Sequence, residues 1–237
     1  MKYILFLGLI FLCLFLQIGT IDNLDPYYDS NHLDVTEQNY EENDAVETVS
    51  YDWQYGGYNW HYDFPIEMKY INFYESQYRD PSFYDDLYVE YVNDPTDDQY
   101  IKDISQIFID EVARIGWDKS RVVNVAISFV QSLDYIAEEG EIEYPKYPLE
   151  TIHDGGGDCE DSSILLVSIL KEMGYGCCLI GFDEHVAVGI LSQDIYGTYY
   201  EVDGKQYYYV ETTNTGWEIG QMPDEYHNLN ARIVVID

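Results

Sequence analysis

Helical segments followed by a mostly antiparallel sheet is the order the sequence predicts, and that order defines an α+β fold. Three observations carry it: amphipathic spacing between residues 101 and 136, an almost wholly apolar helical run starting at Cys159, and a series of strand-like segments beyond Gly174. At 237 residues the chain is long enough for one good core with an appended segment.

The N-terminus opens with Lys2 and then YILFLGLIFLCLFL, residues 3 to 16, with no further charge until Asp22. That length suits a secretory h-region and falls just short of the roughly 20 residues that span a bilayer. Residues 1–21 are therefore expected to be a signal peptide or an N-terminal membrane anchor. The remainder is expected to be extracytoplasmic, either secreted or anchored by that segment. Residues 22–87 read as an acidic, Tyr-rich spacer, largely irregular, because Asn, Asp, Gly and Pro interrupt any sustained period. Within it, YDWQYGGYNWHYDF (51–64) has aromatic faces with polar edges that suit sugar rings. The stronger reading is an extended tether or pro-segment with its Tyr rings partly docked.

Residues 88–237 carry the folding pattern. Ile101, Ile104, Ile107, Phe108, Val112 and Ile115 recur at helical spacing until Gly116 ends the run. Asp118 then caps a second helix bearing Val122, Val123, Ala126, Phe129, Val130, Leu133 and Ile136. A third helix is expected from Cys159 to Met173, stopped by Gly174, and its body SSILLVSILKEM is apolar on most faces, which marks a centrally buried helix. The strands follow as GCCLIGF, HVAVGIL, GTYYEV, QYYYVETT and ARIVVI.

Charge narrows the function classes. With 45 acidic side chains against 11 basic ones the formal charge is −34. A nucleic-acid partner is excluded, because phosphate binding needs cationic neutralisation, and acidic lipids would repel the chain, leaving the N-terminal segment as its membrane contact. Cys13 lies in the apolar run, and the remaining Cys159, Cys177 and Cys178 are odd in number. Cys177 and Cys178, in an apolar strand, read as small buried hydrophobes. No C-x-x-C or His-rich spacing points to zinc, and no Gly-rich phosphate loop is present.

The block GGGDCED sets Cys159 apart. Three glycines allow a sharp turn and close backbone approach, and the thiol lands on the first turn of the buried helix. A helix N-terminus favours the thiolate, and its amide groups can hold a developing oxyanion. Asp158 reads as N-cap and Asp161 as the capping-box acid. Asp158, Glu160 and Asp161 oppose thiolate formation, so a cationic partner must outweigh them. His185 is that candidate: alternation along EHVAVGIL puts it with Ala187 and Gly189 on a face with room for a close-packed helix, opposite Val186, Val188 and Ile190. Glu211 shares a face with Tyr207 and Tyr209 and can orient the imidazole as third member of a triad.

The runs YPLETIHDGGGDCEDSSILLVSILKEMGY, HVAVGI and YYYVETTNTGWEIG resemble the transglutaminase-like superfamily, in its branch of microbial cysteine peptidases with a papain-type core. The resemblance covers residues 88 to 236. It implies a central helix packed on an antiparallel sheet, and acyl transfer from amide bonds by nucleophile Cys159, base and acid His185, and Glu211 where the superfamily usually has Asp. The implied partner is a protein or peptide substrate, cell-wall peptide included, cleaved through a thioester. Cross-linking by the same triad is one alternative, and a non-catalytic surface module is another. Similar proteins often carry an amide at the position of Gln131, which with the Cys159 amide makes a candidate oxyanion hole; a helix-surface role is the plainer reading of Gln131. No cofactor is implied, apart from calcium at Asp158, Glu160 and Asp161, since some exported relatives bind it beside the nucleophile.

Overall fold

A computed structural model describes residues 2–6, 45–79, 88–138, 144–193 and 195–236. Most of the apolar run that predicts a signal peptide or anchor lies outside the described residues. Its beginning, Lys2–Phe6, forms strand β1. Among the described residues no helix is long and apolar enough to cross a membrane.

The stretch 46–75 corrects the expectation of an irregular spacer. Strands β2 (Val46–Tyr55) and β3 (Tyr58–Glu67) form an antiparallel hairpin, and β1 adds to β3 in parallel. Gly56 and Gly57 make its turn at φ +61° and +82°, the left-handed conformation a two-residue hairpin loop requires. Trp60, Tyr62, Phe64 and Ile66 alternate with exposed or half-buried residues, so one face of β3 is a core face. Trp53 and Phe64 reach Phe129 with ring centroids 5.2 and 6.1 Å apart. These rings are thus core, and the hairpin offers no open aromatic stripe for sugar.

Helix α1 (Met68–Glu75) continues directly from β3 and stacks Tyr74 on Tyr147 at 4.2 Å. Arg79 follows, buried, with Nη2 2.7 Å from Glu150 Oε2 and Nε donating to Pro145 O at 3.2 Å. Residues 45–79 are therefore built into the same core as the domain behind them. Their acidity misleads because in β3 the polar residues Asn59, His61, Asp63 and Glu67 alternate with the core residues Trp60, Tyr62, Phe64 and Ile66.

Helix α2 (Val89–Val92) precedes α3 (Asp98–Arg114), which ends where Gly116 turns at φ +76°. Helix α4 spans Arg121–Val130, shorter than expected. Leu133 and Ile136 fall beyond it, because Asp134–Tyr135 (β4) leaves the helix to pair with Gly156–Gly157 (β5). Asp118 is not its cap either; its carboxylate accepts from the Ser120 amide in the preceding turn, at 2.9 Å.

Helix α5 (Pro148–Asp154) and α6 (Cys159–Glu172) lead into the sheet. Residues 159–170 of α6 are all buried, as the sequence predicts, with α3, α4 and α5 on one side and the sheet on the other. Each large aliphatic side chain there contributes about 1.5–3 kcal/mol by leaving water. Strands β6 (Cys177–Phe182), β7 (His185–Leu191), β8 (Tyr199–Val202), β9 (Lys205–Val210) and β10 (Arg232–Ile236) form one antiparallel sheet in the order β10-β6-β7-β9-β8.

One face assignment reverses. Val186, Val188 and Ile190 join the cluster containing α6, whereas Ala187 packs with Cys178, Ile180, Tyr207 and Tyr209 on the other side of the sheet. The β-branched residues supply the apolar area that the buried helix needs. The small residues make room for tyrosines: a Cβ on Gly189 would lie 3.1 Å from Tyr207 Cβ and 2.4 Å from Cys178 Sγ. His185 falls in the Ala187 set by alternation, but it is the first residue of β7, where the sheet ends at the cleft that Cys159 also lines.

Candidate active site

The turn before α6 is built by close packing. Gly155 ends α5 at φ +82°; a Cβ on Gly156 would sit 1.9 Å from the Asp134 carbonyl oxygen, and one on Gly157 2.3 Å from Asp161 Oδ2. Asp158 and Asp161 form the expected capping box, with the Asp161 amide donating to Asp158 and the Asp158 amide to Asp161 Oδ2. Asp161 also accepts from the Lys146 amide at 2.7 Å. Burial and the charge of Asp158 raise its carboxyl to about 7. Asp161 thus faces the protein interior, its carboxylate accepting from the Asp158 and Lys146 amides. The donor atoms that converge are those of Asp158, Cys159 and Glu160, all within 4.8 Å of one another.

Cys159 occupies the first helical position, 9% exposed. Its thiol donates to Glu160 Oε2 at 3.1 Å rather than to His185. Burial raises its pKa, and the charge and hydrogen bond of Glu160 raise it further, against an opposing contribution from the backbone amide of Val186. In this arrangement burial and Glu160 both oppose the expected thiolate.

His185 begins β7, one residue before the amide that faces the sulfur. Its Nε2 lies 3.1 Å from Glu211 Oε2. Glu211 sits just past the end of β9, and its length is accommodated by pinning both oxygens. Tyr209 Oη donates to Oε2 at 2.7 Å; the amides of Thr212 and Thr213 and the Thr213 hydroxyl reach Oε1 at 3.0, 3.1 and 2.8 Å. Burial pushes this carboxyl up, but the hydrogen bond and charge of His185, with Tyr209 and Thr213, outweigh it and hold it down at about 2. Sequence reasoning misses Tyr209 and Thr213 as Glu211 partners, although their i−2 and i+2 spacing is the visible signal.

Hydroxyls tie the three elements together. Ser163 Oγ donates to the Val186 carbonyl at 3.1 Å, and Ser162 Oγ meets Thr212 Oγ1 at 3.0 Å, fixing the start of α6 to both β7 and the segment after β9. Gln131 is corrected. Its Nε2 donates to the carbonyls of Glu211 and Trp217 at 2.8 and 3.1 Å, and its Oε1 accepts from the Gly216 amide at 3.2 Å. Buried and committed to backbone, it braces the loop behind Glu211 and is neither an oxyanion donor nor a surface residue.

Cys159, His185 and Glu211 all line one cleft of about 810 Å3, whose walls include Tyr135, Trp217, Met222 and Tyr226. Glu184, Asp224 and Glu225 lie on the same walls. Cys177 and Cys178 are fully buried, and burial raises each thiol to about 12, so they behave as the small hydrophobes expected.

No protein-family model matches the chain, and no curated protein sequence matches it. Among solved structures it is similar to calcium-bound LapG of Legionella pneumophila, at 17% identity and a TM-score of 0.38, covering 56% of this chain and 81% of that one. EGTA-treated LapG gives 17% identity and a TM-score of 0.39 over 56% and 78% of the two chains. A candidate protease from Parabacteroides distasonis gives 12% identity and a TM-score of 0.37 over 75% of this chain and 41% of that one.

Proposed function

We propose that the chain is an exported thiol-dependent amide hydrolase, a cysteine peptidase acting on protein or cell-wall peptide. The observation that supports it best is a cleft walled by both a helix-terminal cysteine and a histidine whose Nε2 is held by a buried carboxylate. With Nε2 on Glu211, Nδ1 is the imidazole nitrogen left to act as base. Cys159 Sγ attacks the scissile carbonyl as its proton passes to Nδ1, and Glu211 stabilises the imidazolium that forms. The Cys159 amide, at the first turn where no intrahelical acceptor exists, donates to the oxyanion. The imidazolium protonates the departing amine, leaving a thioester; His185 then deprotonates water, which releases the acid and restores the thiol.

The carboxylates of Asp158 and Glu160 suit calcium, although the sulfur beside them does not. These two residues would hold the ion, whose charge would offset the acids that keep Cys159 protonated.

Incubating the purified chain with a peptide library and reading new termini by mass spectrometry tests the assignment. Loss of cleavage in both Cys159→Ala and His185→Ala is expected, and full activity in Cys159→Ala overturns it. Adding a primary amine separates the transamidase alternative, which requires incorporated amine in place of the free acid.

A further inference from the structure

The imidazole of His185 has a neighbour that the proposed chemistry does not yet use. Tyr226, on the one-turn 3-10 segment Asp224–Tyr226, lies almost parallel to it, with ring centroids 4.5 Å apart and planes 7° apart. Phe182, at the other end of the β6–β7 turn, stacks on Tyr226 in its turn at 5.1 Å and 24°. Glu211 and the Tyr209 hydroxyl both meet the imidazole at Nε2, at 3.1 and 3.4 Å, and contacts to one nitrogen alone leave the ring free to rock about it. A flat aromatic face removes this freedom.

We propose that Tyr226 is a positioning residue that holds the His185 ring in the plane where Nδ1 addresses Cys159. This rests on the reading of Cys159 and His185 as nucleophile and base. Tyr226 is half-buried: it packs on the rim of the cluster of Cys178, Ile180, Ala187, Tyr207 and Tyr209, and its turn buries no residue. Its position on the cleft wall also makes the two available roles opposite in sign. A ring that merely covers the thiol slows reagents, and its removal accelerates them. A ring that orients the base speeds proton transfer from the thiol as the sulfur attacks, and its removal slows them.

The test is the rate of Cys159 alkylation by iodoacetamide at pH 7 on the full chain, read by peptide mass spectrometry. Tyr226→Ala is expected to slow it roughly 2- to 10-fold, the range of a good aromatic stack, and Tyr226→Phe to stay within about twofold of the parent. In a His185→Ala background, Tyr226→Ala should have no further effect. Tyr226→Leu keeps apolar bulk without the ring and should behave like Ala, which covers any loss of folding in the smaller variant. Acceleration in Tyr226→Ala, or an equal slowing with and without His185, overturns the proposal. If His185→Ala itself leaves alkylation unchanged, the assignment of His185 as base fails first and takes this inference with it.

Discussion

Replacing Glu160 by Gln isolates the contact that keeps the thiol protonated. The Cys159 proton sits between sulfur and Glu160 Oε2, 3.1 Å apart, and both residues are nearly buried. Ionisation exchanges that hydrogen bond for repulsion between two anions. The bond, to a charged acceptor, is worth about 1.5–3 kcal/mol. The repulsion at this distance is about 5 kcal/mol at an effective dielectric constant near 20, an upper bound that side-chain relaxation reduces. Gln removes the second contribution and most of the first, while the burial contribution stays. Since 1.36 kcal/mol is one pH unit, the midpoint for Cys159 alkylation is expected to fall by about 1–3 units. The assay is the alkylation rate across pH 5 to 10, with Cys177 and Cys178 as internal controls whose rates should not move. An unchanged or raised midpoint refutes the reasoning, because Glu160 would then not govern the sulfur.

Glu211 is depressed to about 2 from an ordinary 4.5, so its stabilising effect is complete above pH 4.5 and is lost as pH falls towards 2. Glu211→Gln should therefore flatten that acid limb, losing of the order of 3 kcal/mol of pH-dependent stability in urea melts taken between pH 2 and 6. Removing Arg79 as Arg79→Met strands Glu150 in the core and is expected to cost about 3–5 kcal/mol, with Arg79→Met/Glu150→Leu recovering most of it in chemical denaturation. Calcium added to EGTA-treated protein should lower the alkylation midpoint of Cys159, and Asp158→Asn/Glu160→Gln should abolish that response. Gly157→Ala meets the Asp161 carboxylate at 2.3 Å, so it should lower the melting temperature and disturb Cys159 reactivity together.

The sequence makes the helix-then-sheet order legible because α6 and the strands after it are nearly uniform in hydrophobicity, and Gly116 and Gly174 punctuate them. The hairpin at 46–67 is hidden by its acids, yet its signals are present: Trp60, Tyr62, Phe64 and Ile66 two apart, with a Gly-Gly pair at the turn. Composition hides a period-2 pattern when the outward residues are Asp, Asn and His. At the site, Cys159, His185 and Glu211 can be picked out because each is chemically unusual for its element. Their relative strengths cannot. Whether a thiol at a helix start ionises depends on desolvation and on the rotamer of Glu160, and both are properties of the packed state. The reversed face of β7 has the same origin. Alternation divides its residues into two sets, but the choice of set for α6 is made by the tyrosines of β9, which need the space opposite Ala187 and Gly189.

The N-terminal hairpin bears on the site through α5. Tyr51 of β2 donates its hydroxyl to the Ile152 carbonyl, and its ring sits edge-on to Phe129 at 5.4 Å. Ile152 lies two residues before the end of α5, and the glycines that follow lead straight to Cys159. On the other side of α5, Arg79 pairs with Glu150, which itself accepts from the Tyr147 amide in that helix's capping box. Both ends of the short helix are thus anchored by residues from before position 80. A seven-residue helix has little stability of its own, since nucleation uses most of its hydrogen bonds. These external contacts therefore set where the glycine turn begins. Displacement of the hairpin would move the Cys159 backbone relative to Val186 without touching any of the three proposed catalytic residues, so Tyr51→Phe should lower Cys159 alkylation while leaving the Glu211-dependent acid limb of stability intact. Equal loss of both would mean that the hairpin supports the whole core and has no particular hold on the nucleophile.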